Sequence, residues 1–141
     1  MTSHHLCRSA QETMNLAADA AHLAQGGEVF ALYGELGAGK TTFVKGLAAG
    51  LGFQQPVTSP TFNLVHYYRG GRLDLVHYDL YRLKRLEEVE ALDLEQELSQ
   101  ENVLAIEWPK LVEPLLPDSR TYRVVFAETQ DGAWRVSMTN P

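Results

Sequence analysis

The segment that most constrains this chain is rich in glycine and reads Gly34-Glu35-Leu36-Gly37-Ala38-Gly39-Lys40-Thr41. It fits the pattern G-x-x-x-x-G-K-[ST] at every fixed position. A short apolar run, Val29 to Tyr33, precedes it, and apolar residues at helical spacing follow it from Phe43 to Leu51. The order strand, glycine-rich loop, helix is the context that a phosphate-binding loop requires. The sequence therefore predicts an α/β domain that binds a phosphate group.

Each part of this segment has a physical reason to be there. Glycines let the backbone wrap closely enough for consecutive N–H groups to point at phosphate oxygens. The helix that follows presents its positive N-terminal end to the same anion. In such loops the lysine, here Lys40, places a positive charge on the β- and γ-phosphates, and the hydroxyl of Thr41 can ligate Mg²⁺.

Two carboxylates follow strand-like runs and are candidates for the rest of the site. Glu107 closes the apolar run Val103 to Ile106, and ligands of open α/β sheets bind at the carboxyl edge of the strands. It would hold a metal there, or it is an ordinary surface glutamate at the end of a strand. Asp79 ends another strand candidate, where it would orient a water molecule. Alternatively it caps a helix or pairs with Arg82.

Three further features carry weaker predictions. The loop Thr58-Ser59-Pro60-Thr61 would sense the γ-phosphate through its hydroxyl groups, or it is a turn stiffened by proline. Trp108 is predicted to be a core or lid residue. His66 and His77 are predicted to be half-buried strand residues, because they show no metal-ligand spacing with other His or Cys residues.

Length and composition indicate one domain without a metal cluster of cysteines. The 141 residues are enough for one hydrophobic core, so we expect a single P-loop ATPase domain over 1–141. The formal net charge of −6 disfavours direct binding of nucleic acid. Cys7 is predicted to be a free thiol near a loose N-terminus. Since no apolar run approaches the ~18 residues of a membrane span and no signal pattern opens the chain, we expect a cytoplasmic protein without a membrane contact.

The remaining segments predict the rest of the fold. A capping box at Ser9 and Glu12 begins a helix that Gly26-Gly27 ends, whereas Met1 to His5 has no recognisable pattern and is predicted to be poorly ordered. The fold class that we predict is a three-layer α/β P-loop NTPase fold with a mixed, partly antiparallel central sheet. Its predicted later elements are an antiparallel hairpin, Asn63 to Tyr68 and Leu73 to Tyr78, one acidic helix marked by Leu86, Val89 and Leu92, and a terminal strand pair, Tyr122 to Ala127 and Trp134 to Met138.

Four motifs in order make the chain resemble the bacterial TsaE (YjeE) family. They are Gly34 to Thr42, Thr58-Ser59-Pro60-Thr61-Phe62, His77-Tyr78-Asp79-Leu80-Tyr81-Arg82 and Glu107-Trp108-Pro109. Members of that family are ATPases required for making threonylcarbamoyladenosine in tRNA. The resemblance runs from the first helix to the terminal strands, and we see no clear departure from the family motifs.

The resemblance implies residue roles, which are expectations here. The phosphates of ATP would be held by Gly37, Ala38, Gly39, Lys40, Thr41 and Thr42. Thr41 and Glu107 would hold Mg²⁺. Asp79 would lie near the γ-phosphate, and Thr61 would belong to a switch-like loop. Thr13 and Arg135 would be neighbours of the adenine.

The resemblance also implies partners. The family works with TsaD and TsaB, the pair that transfers the threonylcarbamoyl group to adenosine 37 of ANN-decoding tRNAs. Slow ATP hydrolysis would support that machinery, tRNA would be bound mainly by the partners, and the chain would be a monomer when alone.

Three other functional classes share parts of this pattern. A small-molecule P-loop kinase would need an acceptor pocket and arginines on a closing lid, for which Arg69, Arg72, Arg82 and Arg85 are candidates. A GTPase would need an Asn-Lys-x-Asp segment, which the sequence lacks. A non-catalytic module with a vestigial loop is disfavoured by the intact Lys40, Thr41 and Glu107.

Overall fold

A single seven-stranded sheet organises the part of the chain that the computed structural model describes, residues 1–35, 37, 39–54, 56–57 and 64–141. The strands are β1 (Thr2–Cys7), β2 (Val29–Tyr33), β3 (Val65–Tyr68), β4 (Leu75–Asp79), β5 (Val103–Glu107), β6 (Thr121–Glu128) and β7 (Trp134–Thr139). The helices are α1 (Ala10–Leu23), α2 (Lys40–Gly50), α3 (Leu86–Glu90) and α4 (Leu94–Leu98), with 3₁₀ segments at Pro109–Leu115 and Asp118–Arg120.

The sheet is parallel at its centre and antiparallel at both sides. The strand order is β1-β7-β6-β2-β5-β4-β3. Strand β2 runs parallel to β5 and β6, and β4 runs parallel to β5. The pairs β3–β4, β6–β7 and β1–β7 are antiparallel. The predicted mixed sheet, its glycine-joined hairpin and its terminal strand pair are therefore confirmed.

Side chains of the central strands alternate between two hydrophobic cores, which makes the domain three-layered. On β2, Phe30 and Leu32 join the core under α1 and α2, whereas Val29 and Ala31 join a second core on the opposite face. The second core is closed by residues of α3, α4 and the 3₁₀ segment after β5, including Val89, Leu94 and Val112. Because the parallel strands are covered on both faces, they read as continuous apolar runs rather than alternating ones.

Close packing of α1 against α2 fixes the helix that follows the glycine-rich loop. A Cβ added at Gly46 would lie 2.4 Å from the carbonyl oxygen of Met14, and one at Gly50 would lie 2.7 Å from that of Ala18. Glycine at these two positions, one helical turn apart, lets the backbones approach. Helix α1 begins as predicted, since the hydroxyl of Ser9 accepts a hydrogen bond of 3.1 Å from the N–H of Glu12.

Two predictions are wrong, one about the N-terminal residues and one about the acidic helix. The N-terminal residues form the edge strand β1, paired with β7 from Thr2 to Cys7, and Cys7 is a buried residue of the α1–α2 core rather than a thiol in a loose end. The single acidic helix is in fact two, α3 and α4, because Asp93 between them has a left-handed backbone conformation with φ 57°.

In the described part of the chain, no helix is both long and apolar enough to cross a membrane.

Candidate functional site

The glycine-rich segment connects the carboxyl end of β2 to the first turn of α2. Gly37 and Gly39 have left-handed backbones, with φ 78° and φ 87°, and a Cβ added at either would meet none of the described residues within 4 Å. Their requirement for glycine is thus conformational rather than steric. Helix α2 begins at Lys40, directly after Gly39. The predicted contact Ala38 lies outside the described residues.

The side chain of Lys40 folds back over the loop that precedes it. Its Nζ donates to the carbonyl oxygens of Gly34 at 2.5 Å and Glu35 at 3.4 Å, and it lies 3.6 Å from the centroid of the Trp108 ring. Only 3% of the residue is exposed. This burial lowers the pKa of the ammonium group from its usual value, against the opposing effect of nearby carboxylates such as Glu107.

Thr41 and Glu107, the predicted metal ligands, are in direct contact. The Thr41 hydroxyl donates to the Glu107 carboxylate, with 3.1 Å to Oε2 and 3.4 Å to Oε1. Glu107 ends β5 and is 4% exposed, which disagrees with its interpretation as a surface glutamate. Because the hydroxyl donates its proton to the carboxylate, the lone pairs of Thr41 Oγ1 take no part in this contact.

His77 is also bonded to Glu107, and its predicted half-buried state is wrong. The ring is 0% exposed, and its Nε2 lies 2.6 Å from Glu107 Oε2. Its Nδ1 is buried without a hydrogen-bond partner among the described residues. His66, which pairs with His77 across β3 and β4, has the intermediate burial that was predicted.

Asp79 lies beside Glu107 at the same sheet edge, since the two residues are paired in the β4–β5 register. Its Oδ1 accepts a hydrogen bond of 3.1 Å from the backbone N–H of Tyr81. Burial raises the pKa of the Asp79 carboxyl, more than the Tyr81 bond lowers it. The predicted loop 58–62, with Thr61, lies outside the described residues.

The donor chemistry at this edge fits Mg²⁺ as a partial site. A threonine hydroxyl and a carboxylate are hard oxygen donors, which Mg²⁺ prefers. No group of three or more His, Cys, Asp or Glu side chains that could hold a metal occurs in the described ranges. The described chain therefore offers too few ligands to enclose a metal, and a bound Mg²⁺ would depend on phosphate oxygens and water for its remaining ligands.

A cavity of about 260 Å³ adjoins the loop on the α1 side. It is lined by Thr13, which is 4% exposed, and by Thr42 and Trp134, among others. Arg135 does not line it. Trp134 packs on the α1–α2 core, and successive side chains of a strand point to opposite faces, so Arg135 lies on the other face of β7. The structure thus brings Thr13 to the loop but not Arg135.

A larger apolar groove of about 680 Å³ lies on the other side of the loop. Trp108 contributes to its lining and also to the contact with Lys40, while the Tyr81 ring lies 4.9 Å from the Trp108 ring. The backbone of Trp108 is left-handed, with φ 58°, and this conformation ends β5. Trp108 is therefore not a core residue, and it belongs to no lid among the described residues. Its side chain contacts Lys40 of the loop and lines the groove.

Sequence reasoning missed two residues of this region. His77 was assigned to the sheet alone, although it stands two positions before Asp79 on the same strand and therefore on the same face. Trp134 was assigned to a terminal strand with no role at the site. No local signal identifies it, because the proximity of β7 to the loop arises only from the strand order.

Comparisons with known proteins all point to one family. The sequence model of the family "Threonylcarbamoyl adenosine biosynthesis protein TsaE" matches residues 7–136. The chain is 43% identical over 115 residues to the tRNA threonylcarbamoyladenosine biosynthesis protein TsaE of Bacillus subtilis, covering 82% of this chain and 72% of that protein. It is 45% identical over 111 residues to the protein of the same name from Treponema pallidum, covering 79% and 82%.

A solved structure also resembles the fold. The crystal structure of Bacillus subtilus YdiB superposes with a TM-score of 0.82 and 34% sequence identity, over 99% of this chain and 86% of that one. The predicted three-layer P-loop NTPase fold is confirmed.

Proposed function

This chain belongs to the TsaE family, and on that premise we propose that it is a Mg²⁺-dependent ATPase that supports formation of threonylcarbamoyladenosine in tRNA. Its relatives are named tRNA threonylcarbamoyladenosine biosynthesis proteins. Residues 1–141 act as one P-loop ATPase domain, in the cytoplasm.

The observation that carries the proposal is the meeting of Lys40, Thr41 and Glu107 at the end of the glycine-rich loop. Lys40 contacts Trp108 and two carbonyl groups, and Thr41 contacts Glu107 at 3.1 Å. These are a cation, a hydroxyl and a carboxylate, the three groups that a Mg-nucleotide needs around its β- and γ-phosphates. They come from two elements, α2 and β5, that are distant in sequence.

The residues divide the work of binding. The phosphate oxygens accept hydrogen bonds from the backbone N–H groups of Gly37, Ala38 and Gly39 and from the N-terminal end of α2, with Thr42. Lys40 turns from its carbonyl partners to the phosphates and neutralises their charge. Thr41 and Glu107 hold the metal and its water shell. Mg²⁺, when bound, supplies charge stabilisation for the phosphoryl group.

Asp79 and Thr61 belong to the hydrolytic part of the proposal. Asp79 stands next to Glu107 in register, where its carboxylate accepts a hydrogen bond from a water molecule and so orients that water for attack. The hydroxyl group of Thr61 responds to the γ-phosphate as part of a switch. The nucleoside occupies the cavity lined by Thr13 and Trp134.

The partners in this proposal are TsaD and TsaB, with tRNA reached through them. The net charge of −6 supports an indirect role, since phosphate contacts need clustered Lys and Arg. The ATPase is slow alone, as a monomer, and its nucleotide state is sensed by the partner pair.

A small-molecule kinase fits the described residues less well. Arg72 donates to the carbonyl oxygens of Ala21 and Ala24 at the end of α1, at 2.7 Å and 2.8 Å. Arg69 pairs with Asp74 at 3.3 Å. Two of the four candidate lid arginines therefore already have partners within the fold.

The test is release of inorganic phosphate from ATP, measured with Mg²⁺ and then with EDTA, with and without a purified TsaD–TsaB pair and substrate tRNA. Slow Mg²⁺-dependent release that rises with the partners is expected, and Lys40→Ala abolishes it. GTP is added as a competitor for the nucleotide site, and candidate small molecules are added as phosphoryl acceptors. Transfer of the labelled phosphoryl group to an acceptor, without net hydrolysis, would favour the kinase instead.

A further inference from the structure

Glu107 has a buried hydrogen-bond partner, His77, that lies outside the phosphate-binding loop. Its Oε2 accepts a hydrogen bond from His77 Nε2 at 2.6 Å, shorter than the 3.1 Å contact that the same oxygen makes with Thr41. Both His77 and Glu107 are almost completely buried, at 0% and 4% exposure. The bond joins β4 to β5 at the carboxyl edge of the sheet.

The register of the two strands explains how the ring reaches Glu107. His77 pairs directly with Ala105, and Asp79 pairs with Glu107. His77 and Glu107 are therefore diagonal neighbours on one face of the sheet, a spacing that long side chains can bridge. Because Ala105 is small, the imidazole has room to lean across it toward the carboxylate.

The two polar nitrogens of the imidazole indicate that the bond to Glu107 is the reason for a histidine at this position. An apolar residue at this position would fill the α1–α2 core at no polar cost, as Leu75 does two residues earlier on the same face. A buried imidazole instead carries two polar nitrogens. Among the described residues, Glu107 is the partner of Nε2 and Nδ1 has none.

We propose that His77 is a positioning residue that fixes the rotamer of Glu107 and leaves its Oε1 oxygen for the metal. Among the described residues, Oε2 accepts from both His77 and Thr41, whereas Oε1 has the longer 3.4 Å contact with Thr41 alone. Because the His77 bond holds Oε2, the Glu107 carboxylate does not rotate, and Oε1 stays beside the Thr41 oxygen. This inference rests on the proposed function, because it assigns His77 to the metal side of that nucleotide site.

The experiment separates metal-dependent binding from nucleotide binding itself. The affinity of a non-hydrolysable ATP analogue is measured by calorimetry with Mg²⁺ and with EDTA, for the full chain and for three variants at His77. His77→Leu removes the donor and keeps the bulk. It is expected to reduce the Mg²⁺-dependent gain in affinity by about tenfold, as loss of outer-shell metal partners does, with the EDTA affinity changed less than about twofold.

Rescue by a conservative variant distinguishes positioning from packing. The amide nitrogen of His77→Gln reaches the place of Nε2 and should keep most of the Mg²⁺ gain, whereas His77→Asn places its amide nearer to Nδ1 and should lose it. Thermal unfolding identifies any variant that does not fold. If His77→Leu fails to fold, the Gln and Asn pair still decides the matter.

The outcomes keep this inference apart from the proposed function. A wild-type Mg²⁺ gain that persists in His77→Leu, or equal behaviour of the Gln and Asn variants, overturns the role of His77 alone. A wild-type chain that binds the analogue no better with Mg²⁺ than with EDTA overturns the proposed metal site and this inference with it.

Discussion

The ammonium group of Lys40 lies 3.6 Å from the centroid of the Trp108 ring and 2.5 Å from the carbonyl oxygen of Gly34. Among the described residues it forms no ion pair within 4.0 Å. A buried cation that is held by carbonyl dipoles and an aromatic face is incompletely compensated, and an anion at the loop would improve its environment. This arrangement keeps Lys40 available to a phosphate group at the loop.

Replacing Lys40 should therefore weaken nucleotide binding without destabilising the fold. For Lys40→Met we expect a loss of roughly 10- to 100-fold in affinity for Mg-ATP, equivalent to one or two charge-assisted hydrogen bonds. The unfolding temperature should stay the same or rise, because burial lowers the pKa of Lys40 and so disfavours its charged form. Calorimetry and thermal unfolding measure the two effects.

Lys45 provides the matched control, since it is an exposed lysine on the same helix. Lys45→Met should leave both the affinity and the unfolding temperature unchanged. Equal losses of affinity in the two variants would point to a general effect of charge and remove the special role of Lys40.

Asp79 should make stability depend on pH in a definite direction. Burial raises its pKa in the folded chain above the unfolded value of 3.8, so the folded state binds the proton more tightly. Its contribution is fully present below pH 3.8 and is lost as the pH rises through the raised folded pKa. Asp79→Asn should thus gain stability relative to the wild type as the pH rises from about 4 to 7.

The same substitution should slow hydrolysis more than it weakens binding. Loss of a general base or water-orienting group commonly costs about 100-fold or more in rate, while the asparagine oxygen can still accept the Tyr81 N–H. Urea unfolding at several pH values and phosphate release measure the two effects. An unaltered rate would remove Asp79 from the hydrolytic machinery.

Glu107 should control the dependence on Mg²⁺. Glu107→Gln keeps an oxygen for His77 and Thr41 but removes the negative charge, so the Mg²⁺ concentration for half-maximal hydrolysis should rise by at least about tenfold. Titration of phosphate release with Mg²⁺ measures this. An unchanged midpoint would contradict a metal role for Glu107.

The sequence predicted the central elements because their signals are local. Helix α1 begins at a capping residue, Ser9, and the run Val103 to Glu107 is continuously apolar until its last residue. The β3–β4 hairpin has its two glycines. The edge strand β1 was missed because its six residues are mostly exposed, so they show no apolar alternation. The break at Asp93 was missed because a left-handed aspartate leaves no mark in the apolar pattern.

The parts of the site that could be predicted lie next to motif residues in the chain. Lys40, Thr41 and Glu107 are motif positions, and their meeting follows from strands that share one sheet edge. The contact of His77 with Glu107 depends on the β4–β5 register, and the place of Trp134 depends on strand order. Neither is encoded within a short stretch of sequence, so only the assembled sheet reveals them.

Gly46 offers a test of how α2 is held in place. An exposed glycine in a helix gains up to about 1 kcal/mol on replacement by alanine, but a Cβ here would lie 2.4 Å from the Met14 carbonyl oxygen. Gly46→Ala should therefore destabilise the chain by about 1–3 kcal/mol, the usual cost of overpacking. Lys45→Ala, at the exposed neighbouring position, should change stability by less than about 0.5 kcal/mol. Chemical unfolding measures both, and a stabilised Gly46→Ala would mean that the two helices can separate freely.

Trp134 and Arg135 are adjacent on β7 but lie on opposite faces, so they test which face receives the nucleoside. Trp134 lines the cavity of about 260 Å³ beside Thr13 and Thr42, whereas Arg135 is exposed. Stacking of a base on an aromatic ring contributes about 1–3 kcal/mol. Trp134→Leu should thus weaken binding of Mg-ATP by about tenfold or more, and Arg135→Ala should leave it unchanged.

Tripolyphosphate, which has the phosphate chain of ATP but no nucleoside, separates stacking from damage to the loop. If Trp134 acts on the nucleoside, Trp134→Leu should bind tripolyphosphate as the wild type does while its affinity for ATP falls. Equal losses for both ligands would mean that the tryptophan only supports the loop. A loss of ATP affinity in Arg135→Ala, with Trp134→Leu unaffected, would place the nucleoside on the other face of β7 and contradict the assignment of this cavity.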